Sequence, residues 1–314
     1  MIFHFILNPK SGRNAQQKKM EQDIVDGCLK RQLSYHIYYT TKQKDSINYV
    51  RKMIKEYPGE RQRFICVGGD GTINEIANSA PGNPDIEFGV IPSGSGNDFV
   101  RNFTDKSLFY NIDAQIDGTV HSFDLIKVND NYCVNMINIG FDCAVVIEAN
   151  KFRKFKFISP GISYILGVVV GFFFRKLGTK MKITFDNGKV INEELSLTAI
   201  GNGRFCGGGF QTCPLASLED GILDICVIKK VSRPLFVQLI GSYKEGSFLV
   251  KRNAQKVFKY IRTNHFRMEF ENEQPICIDG EITHAKNVEF TVIPGGFNFV
   301  IPKGSQLQYT GMEK

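Results

Sequence analysis

The chain has 314 residues, of which 42% are hydrophobic and 23% are charged, and its formal net charge is +7. This length predicts two domains, and this composition excludes long disordered regions. The positive charge suits an anionic membrane face, nucleic acid or a polyphosphate ligand, and by itself does not choose among them.

The cysteines and the N-terminus indicate a reducing compartment. The 8 cysteines are scattered, without a C-x-x-C pair, so we expect them to be small buried hydrophobic residues. The apolar start Met1–Leu7 is too short for a signal peptide and is followed at once by Asn8 and Pro9. We therefore expect a cytoplasmic protein.

Short apolar strands alternate with helices over the first third of the chain. The predicted strands are Ile2–Leu7, Tyr35–Thr40, Arg63–Val67 and Glu87–Ile91, and the predicted helices are Ala15–Arg31, Asp45–Glu56, Ile73–Ser79 and Asn97–Asn102. This alternation predicts an α/β domain with a mostly parallel sheet that is covered on both faces.

The pattern changes after about Thr119, where strands separated by turns predominate. The predicted strands are Ser122–Val128, Tyr132–Ile139, Lys180–Phe185, Glu194–Ile200, Ile222–Ile228, His265–Phe270, Pro275–Ile278, Val288–Ile293 and Phe297–Ile301. They predict a β-rich sandwich, with Val231–Val250 as a helical insertion. We place the first domain at residues 1–122 and the second at 123–297, with residues 298–314 returning to the first.

One stretch, Lys151–Lys182, combines basic and apolar residues. Lys151–Lys156 carries three Lys and an Arg, and the apolar run Ile162–Phe174 follows and is closed by Arg175 and Lys176. The run is too short to span a bilayer, which takes about 20 apolar residues. We predict a buried or half-buried helix; the alternative is an interfacial patch that contacts anionic lipid.

Three glycine-rich turns, Asn8–Gly12, Gly68–Thr72 and Pro92–Gly96, follow predicted strands. Ligands bind at that edge of an open α/β sheet, where glycine lets backbone N–H groups approach a phosphate and the next helix points its positive end at it. The P-loop, Rossmann and protein kinase motifs are absent from the sequence. The three turns therefore predict a different kind of nucleotide polyphosphate site.

Asp70 lies among the glycines of the second turn. A carboxylate there would repel a phosphate unless a cation lay between them, and Mg²⁺ takes carboxylate and phosphate oxygens together. The alternative is an N-cap residue that closes the turn. We favour a metal or catalytic role for Asp70.

Further motifs extend along nearly the whole chain in a fixed order. They are Asn8–Gly12, Gly68–Glu75, Ile91–Phe99, Asp124–Ile126, Asn202–Arg204 with Gly207–Gly209, Cys213-Pro214 with Leu218–Leu223, and Asp279–Glu281. In this order they resemble the diacylglycerol kinase catalytic domain family, which includes bacterial lipid kinases, sphingosine kinases and ceramide kinases. The resemblance implies an ATP-dependent lipid kinase of the NAD kinase/diacylglycerol kinase-like fold, with its active site between the two domains.

The resemblance also implies site residues. The nucleotide would contact Asn8, Pro9, Lys10, Ser11, Gly12, Thr40 or Thr41, Gly68, Gly69, Asp70, Gly71, Thr72, Ile73, Asn74, Ser95, Asn97 and Asp98. A structural Mg²⁺ would be held by Asp220 with the carbonyls of Ser217 and Ile222. Glu281 would be the general base, with Asp279 close by, and Asp70 would organise the metal on the phosphates.

The resemblance further implies ATP and a lipid with a free hydroxyl as substrates, most readily diacylglycerol. It also suggests peripheral contact with the anionic inner face of a membrane, a homodimer and no nucleic acid. Two alternatives stay open: an NAD or other small-molecule kinase on the same fold, and a non-enzymatic nucleotide-binding protein at a membrane surface. The acids Asp70, Asp98, Asp220 and Glu281 favour an enzyme, since binding alone would not require them all.

Overall fold

A computed structural model describes residues 1–8, 14–153 and 160–308, and the chain divides into two compact units. Unit 1 comprises Met1–Leu125 and the segment that begins at Ile293, and unit 2 comprises Ile126–Val292. Two strands run along the chain from one unit into the other: β5 (Thr119–Val128) and β13 (Glu281–Ile301).

Unit 1 is an α/β unit. Before β5 its strands are β1 (Ile2–Leu7), β2 (Ser34–Tyr39), β3 (Gln62–Gly68) and β4 (Ile86–Pro92), and its helices are α1 (Asn14–Lys30), α2 (Asp45–Glu56), α3 (Asp70–Ala77) and α4 (Ile112–Ile116). The strands lie in the order β2-β1-β3-β4, and each of these neighbouring pairs is parallel. Every residue of β3 and β4 is buried, as expected for inner strands of a sheet covered on both faces.

His4 of β1 is fully buried inside unit 1. Its ring stacks on Phe64, with centroids 4.4 Å apart, and on His36, with centroids 5.1 Å apart. The Nδ1 atom lies 3.1 Å from the Tyr49 hydroxyl. Burial lowers the pKa of His4 to about 4, and the electrostatic interaction with the neighbouring His36 adds to this effect. The histidine is therefore neutral in the folded protein near pH 7.

Unit 2 is rich in antiparallel strands. It contains β6 (Asn131–Cys133), β7 (Met136–Gly140), β8 (Thr179–Phe185), β9 (Val190–Gly201), β10 (Leu223–Lys229), β11 (Phe258–Thr263) and β12 (His265–Ile278). Antiparallel pairs join β7 to β9 and β12, β9 to β8 and β10, β10 to β11, and β12 to β8 and β13. The predicted succession of an α/β domain and a β-rich domain is confirmed.

The helices of unit 2 are α5 (Phe141–Arg153), α6 (Pro160–Phe174), α7 (Arg233–Lys244) and α8 (Arg252–Gln255). No helix is predicted at α5, because Val145, Val146 and Ile147 favour a strand locally. The predicted helix over Ile162–Phe174 is confirmed by α6. No helix in the described parts of the chain is both long and apolar enough to cross a membrane.

Candidate functional site

The first predicted turn follows β1, and only Asn8 of it can be described. Pro9, Lys10, Ser11 and Gly12 lie outside the described residues. Thr40 borders this end of β1, because its backbone N–H donates to the Leu7 carbonyl at 2.9 Å. The end of β2 and the end of β1 therefore lie side by side at the carboxyl edge of the sheet.

Thr41 is engaged with the start of α2. Both its backbone N–H and its hydroxyl donate to Oδ2 of Asp45, at 2.8 and 2.9 Å. These bonds, with that of the backbone N–H foremost, hold the pKa of Asp45 below its usual range. Of the two candidate threonines, Thr41 thus has its hydroxyl bound to a carboxylate, and the Thr40 hydroxyl lies 3.4 Å from the Leu7 carbonyl oxygen.

The second turn joins β3 to α3, and α3 begins at Asp70 rather than at Ile73. Gly71 and Thr72 therefore lie in the first turn of the helix, with the Thr72 N–H donating to the Gly69 carbonyl at 2.9 Å. Gly68 has no room for a side chain, since an added Cβ would lie 2.1 Å from Oγ1 of Thr72. The first turn of α3 therefore lies so close to the end of β3 that only glycine fits at position 68.

The second and third turns touch through their backbones. An added Cβ on Gly94 would lie 2.7 Å from the Cα of Gly69, and one on Gly69 would lie 3.0 Å from the Cα of Gly94. The Ser93 N–H donates to the Gly68 carbonyl at 2.8 Å. The close packing of the two turns therefore requires glycine at both positions.

Asn97 shapes the third turn. Its φ of +49° is left-handed, a conformation that Asn tolerates better than most residues. Its side chain accepts a hydrogen bond from the Gly94 N–H at 3.0 Å and donates one to the Gly94 carbonyl at 2.8 Å. Ser95 stays exposed at the tip of this turn. Asn97 is therefore a positioning residue for the turn, and Ser95 is accessible to a ligand.

Asp70 connects the second turn to the third. Its Oδ1 accepts a hydrogen bond from the Phe99 N–H at 3.1 Å, and its Oδ2 would lie 3.1 Å from a Cβ added to Gly96. Asp98, which is buried, pairs with Arg101 at 3.1 Å. Unit 1 thus brings Asp70, Gly96 and Asp98 together beside the N-terminus of α3, where negative groups are stabilised by the helix.

The remaining predicted residues of α3 face different surroundings. Ile73 is buried in the core, and the Asn74 carbonyl accepts from the Asn78 N–H at the end of the helix. Glu75 was not predicted as a site residue, yet it accepts hydrogen bonds from the Lys44 N–H and the Ser46 hydroxyl at the start of α2. Glu75 thereby ties α3 to α2, and its place within the matched motif was the available signal.

In unit 2, Asp279 lies in the turn between β12 and β13 and is buried, with a φ of +46°. Its carboxylate accepts hydrogen bonds from four groups of one short segment: the N–H groups of Val134 (2.7 Å), Asn135 (3.0 Å) and Met136 (2.9 Å), and the thiol of Cys133 (3.1 Å). This carboxylate organises the backbone, which makes Asp279 a positioning residue.

Two asparagines extend this arrangement. The Asn202 side chain donates to the Val134 carbonyl at 2.9 Å, and the Asn135 side chain donates to the Phe205 carbonyl at 2.8 Å. The backbone N–H groups of Asn202 and Gly203 both donate to the Asn135 carbonyl at 3.0 Å. Neither asparagine was predicted as a site residue, although Asn202 belongs to one of the matched motifs.

Glu281 is the first residue of β13 and is exposed. It pairs with Ile278 across the two-residue turn that contains Asp279 and Gly280. The hydrogen bonds that Asp279 accepts hold this turn in place, and the Glu281 side chain is exposed. Of the two predicted acids in this motif, Glu281 has the accessibility that a proton acceptor needs.

Asp220, the predicted metal ligand, already has a cationic partner. Its carboxylate pairs with the Arg262 guanidinium and accepts from the Ile222 N–H at 3.1 Å, and Arg262 also lies 3.3 Å from the buried Asp224. Within the described residues there is no group of three or more His, Cys, Asp or Glu side chains placed to hold a metal. One carboxylate with the carbonyls of Ser217 and Ile222 offers the oxygen ligands that Mg²⁺ prefers, and Arg262 is already paired with that carboxylate.

A further acid, Asp142, was not predicted because a lone Asp after Gly-Phe gives no spacing signal. It lies in the first turn of α5 and accepts a hydrogen bond from the Tyr243 hydroxyl at 3.1 Å. Loss of hydration raises the pKa of its carboxyl to about 6, against the opposing effect of the Tyr243 hydrogen bond.

Comparisons with known families and sequences match both units. Residues 3–128 match the model of the diacylglycerol kinase catalytic domain, and residues 135–301 match that of the YegS C-terminal NAD kinase beta sandwich-like domain. A protein of Shewanella frigidimarina named "Probable lipid kinase YegS-like" is 25% identical over 298 residues, covering 93% of this chain and 92% of its own. A protein of Bacillus subtilis (strain 168) named "Diacylglycerol kinase" is 26% identical over 303 residues, covering 95% of each chain.

Among solved structures, that of a diacylglycerol kinase from Bacillus anthracis str. Sterne is similar in fold. Its TM-score is 0.71 at 22% identity, over 96% of this chain and 97% of that one. At this identity the likeness establishes the fold. The expected diacylglycerol kinase-like fold is thereby confirmed.

Proposed function

The chain belongs to the diacylglycerol kinase catalytic domain family, a family of lipid kinases, and from that membership we propose that it transfers the γ-phosphate of ATP to the hydroxyl of a lipid. The acceptor we propose is diacylglycerol, with phosphatidic acid and ADP as products. The name of the Bacillus subtilis relative supports this acceptor. Such an acceptor stays in a bilayer, so the enzyme would work in peripheral contact with an anionic inner membrane face.

The observation that carries the proposal is the close contact between the second and third turns of unit 1. Gly69 and Gly94 meet through their backbones at the carboxyl ends of β3 and β4, with the N-terminus of α3 beside them. Backbone N–H groups without neighbouring side chains, together with a helix N-terminus, favour a polyphosphate. Mg·ATP would be the donor substrate there.

Asp70 is the residue we assign to the metal that accompanies ATP. Its carboxylate stands at the start of α3 between the two glycine turns, held by the Phe99 N–H. Magnesium is bound typically by one or two carboxylates together with substrate phosphates. A magnesium ion on Asp70 would let a phosphate approach the turn in spite of the negative charge of this carboxylate. Asn97 would hold the third turn in its conformation.

Glu281 is the residue we assign as general base. A lipid hydroxyl is a poor nucleophile near neutral pH, and a positioned carboxylate that takes its proton contributes roughly 10²–10⁴ in rate. The lipid oxygen forms a bond to the γ-phosphorus, the bond from that phosphorus to the bridging oxygen of ADP breaks, and the hydroxyl proton goes to Glu281. The exposure of Glu281, above a turn fixed by Asp279, supports this assignment.

A phosphoryl-transfer assay with labelled ATP tests the proposal directly. Mixed vesicles that contain diacylglycerol should yield labelled phosphatidic acid in the presence of Mg²⁺, whereas NAD should stay unlabelled. A label on NAD, with none on any lipid of a panel of diacylglycerol, a monoglyceride, a sphingoid base and an isoprenoid alcohol, would instead identify a small-molecule kinase.

Two variants test the assigned roles in the same assay. Glu281→Gln keeps shape but cannot accept the proton, so kcat should fall roughly 10²-fold or more while ATP affinity stays near normal. Asp70→Asn removes a metal ligand, so Mg²⁺-dependent ATP binding should weaken together with turnover. Full kcat in Glu281→Gln, beside an inactive Asp70→Asn that still binds Mg·ATP, would reverse the two assignments.

A further inference from the structure

Arg101 lies just beyond the matched motif Ile91–Phe99, in the short 3₁₀ helix Phe99–Asn102. Its side chain folds back onto the third turn, where Nη2 donates to the Gly96 carbonyl at 3.2 Å. The side chain is 32% exposed, so part of it is open to a ligand. An arginine is charged at every working pH. The third turn therefore carries a fixed cation that the sequence motifs did not indicate.

The guanidinium of Arg101 has more donors than partners. Of its five N–H groups, one makes a hydrogen bond within the described residues, the bond to Gly96. The Nε atom lies 3.1 Å from Oδ1 of Asp98, but its N–H is not aligned with that oxygen, so this contact is an ion pair without a hydrogen bond. Because the pairing with Asp98 is imperfect, the guanidinium can turn toward a better-aligned anion.

The other arginines in the described part of unit 1 are engaged elsewhere. Arg31 and Arg63 each donate four hydrogen bonds to carboxylates and carbonyls. Arg51 donates to two carbonyls just after α3, and Arg61 pairs with a carboxylate near the start of β4. Among these arginines, Arg101 alone combines unused donors with a place at the glycine turns.

Two carboxylates and a second cation lie near this guanidinium. The Oδ2 atoms of Asp70 and Asp98 would lie 3.1 and 3.4 Å from a Cβ added to Gly96, so both acids border the residue whose carbonyl Arg101 holds. Loss of hydration, followed by the charge of Arg101, lowers the pKa of Lys106, which places this exposed lysine near the arginine. These cations neutralise part of the charge of two acids that would otherwise repel a phosphate.

We propose that Arg101 is a further catalytic residue, which keeps the Gly96 carbonyl through Nη2 and donates its unused N–H groups to oxygens of the β- and γ-phosphates of ATP. Arginine presents its donors in a planar fork that matches phosphate oxygens. Charge is spread over the oxygens of the γ-phosphoryl group during transfer, and a fixed cation beside them stabilises the transition state. The inference rests on the proposed function, which supplies ATP as the ligand.

Nucleotide binding by the full chain, measured by isothermal titration calorimetry, tests this contact without any lipid. Arg101→Met removes the guanidinium and should raise the Kd for Mg·ATP about tenfold or more, raise that for Mg·ADP less, and leave that for AMP unchanged. Arg101→Lys keeps the charge but not the fork, so it should recover part of the ATP affinity. The matched control is Arg51→Met, which removes an arginine bound to two carbonyls of the same unit and should bind all three nucleotides like the parent.

Hydrogen exchange of a peptide over residues 93–98 separates a phosphate contact from mere support of the turn. Asn97 still holds the third turn through Gly94 in Arg101→Met. We therefore expect parental exchange without nucleotide and a loss of the protection that ATP confers. Faster exchange in the nucleotide-free variant, with ATP-induced protection intact, would make Arg101 a support of the turn and overturn the inference.

The transfer assay separates this inference from the kinase assignment. In Arg101→Met we expect kcat to fall roughly 10²-fold or more, as for the loss of one donor that stabilises a transition state. Selective loss of ATP affinity in a protein that phosphorylates no lipid supports the phosphate contact and refutes the kinase. Parental ATP affinity and kcat in Arg101→Met, with lipid phosphorylation by the parent, refute the role of Arg101 alone. Equal weakening of ATP and AMP also overturns it.

Discussion

Asp70 in unit 1 and Asp279 in unit 2 occur in similar sequence settings, each followed by glycine at the end of a strand. In unit 1 the aspartate starts a helix, and its Oδ1 accepts the Phe99 N–H at 3.1 Å. In unit 2 the aspartate is buried, and it accepts four hydrogen bonds from residues 133–136. The same local motif therefore places one carboxylate at the start of a helix and buries the other as a support for the backbone.

The two units also build their turns by different means. In unit 1, the second and third turns meet because Gly69 and Gly94 lack side chains. In unit 2, the Asp279 carboxylate accepts the N–H groups of residues 134–136, a segment that contains no glycine. The first arrangement leaves backbone groups at a sheet edge that a ligand can approach, whereas the second uses up its hydrogen-bonding groups internally.

The largest expected effect concerns stability at these two aspartates. Asp279→Ala leaves three backbone N–H groups without their acceptor, and an unsatisfied buried group costs about 1–3 kcal/mol. We expect unfolding free energy to fall by about 3–5 kcal/mol in urea denaturation, against about 1 kcal/mol for Asp70→Ala. Equal losses of stability in the two variants would remove the distinction between the turns.

The pH dependence of the two units should have opposite signs. His4 has its pKa lowered from 6.5 to about 4, so the unfolded chain takes up its proton first and unit 1 loses stability as pH falls from about 6.5 to 4. Asp142 has its pKa raised from 3.8 to about 6, so the folded form keeps its proton longer and unit 2 loses stability as pH rises from about 4 to 6. Each contribution is at most about 3–3.5 kcal/mol.

Hydrogen exchange by mass spectrometry, corrected for intrinsic exchange rates, can measure the two units separately between pH 4 and 7. Asp142→Asn should reduce, without abolishing, the pH slope of peptides from unit 2, because burial also raises the pKa of Asp224 to about 6. It should leave the slope of unit 1 unchanged, whereas His4→Phe should reduce the slope of unit 1 alone. Slopes of the same sign in both units of the parent protein, or unaltered slopes in both variants, would contradict the assignment of these groups.

The smallest expected effect concerns Asp220 and Arg262 of unit 2. We expect Mg²⁺ and the Arg262 guanidinium to compete for the Asp220 carboxylate. Magnesium should therefore raise the melting temperature of Arg262→Gln by about 2–4 °C more than that of the parent, because the carboxylate becomes available. In Asp220→Ala the response to Mg²⁺ should disappear. An equal response in all three proteins would place the structural metal elsewhere.

The sequence alone predicted the succession of an α/β unit and a β-rich unit, the positions of the second and third glycine turns, the family, and helix α6. These features are local: strands and helices follow from hydrophobic periodicity, and turns follow from glycine. It did not predict α5, because its Val and Ile residues favour a strand when the neighbouring helix α6 is not considered.

Tertiary structure decided what the acids and the apolar helix do. Asp279 binds Val134, 145 residues away in the chain, and Asp220 pairs with Arg262, 42 residues away. Likewise, Gly167 of α6 lies against α5, where an added Cβ would be 2.7 Å from the Val145 carbonyl oxygen and the Ala149 nitrogen. Local sequence fixes which chemical groups a segment carries. The partner that each group meets depends on how distant segments pack, and that partner determines whether an aspartate supports a backbone or remains available to a substrate.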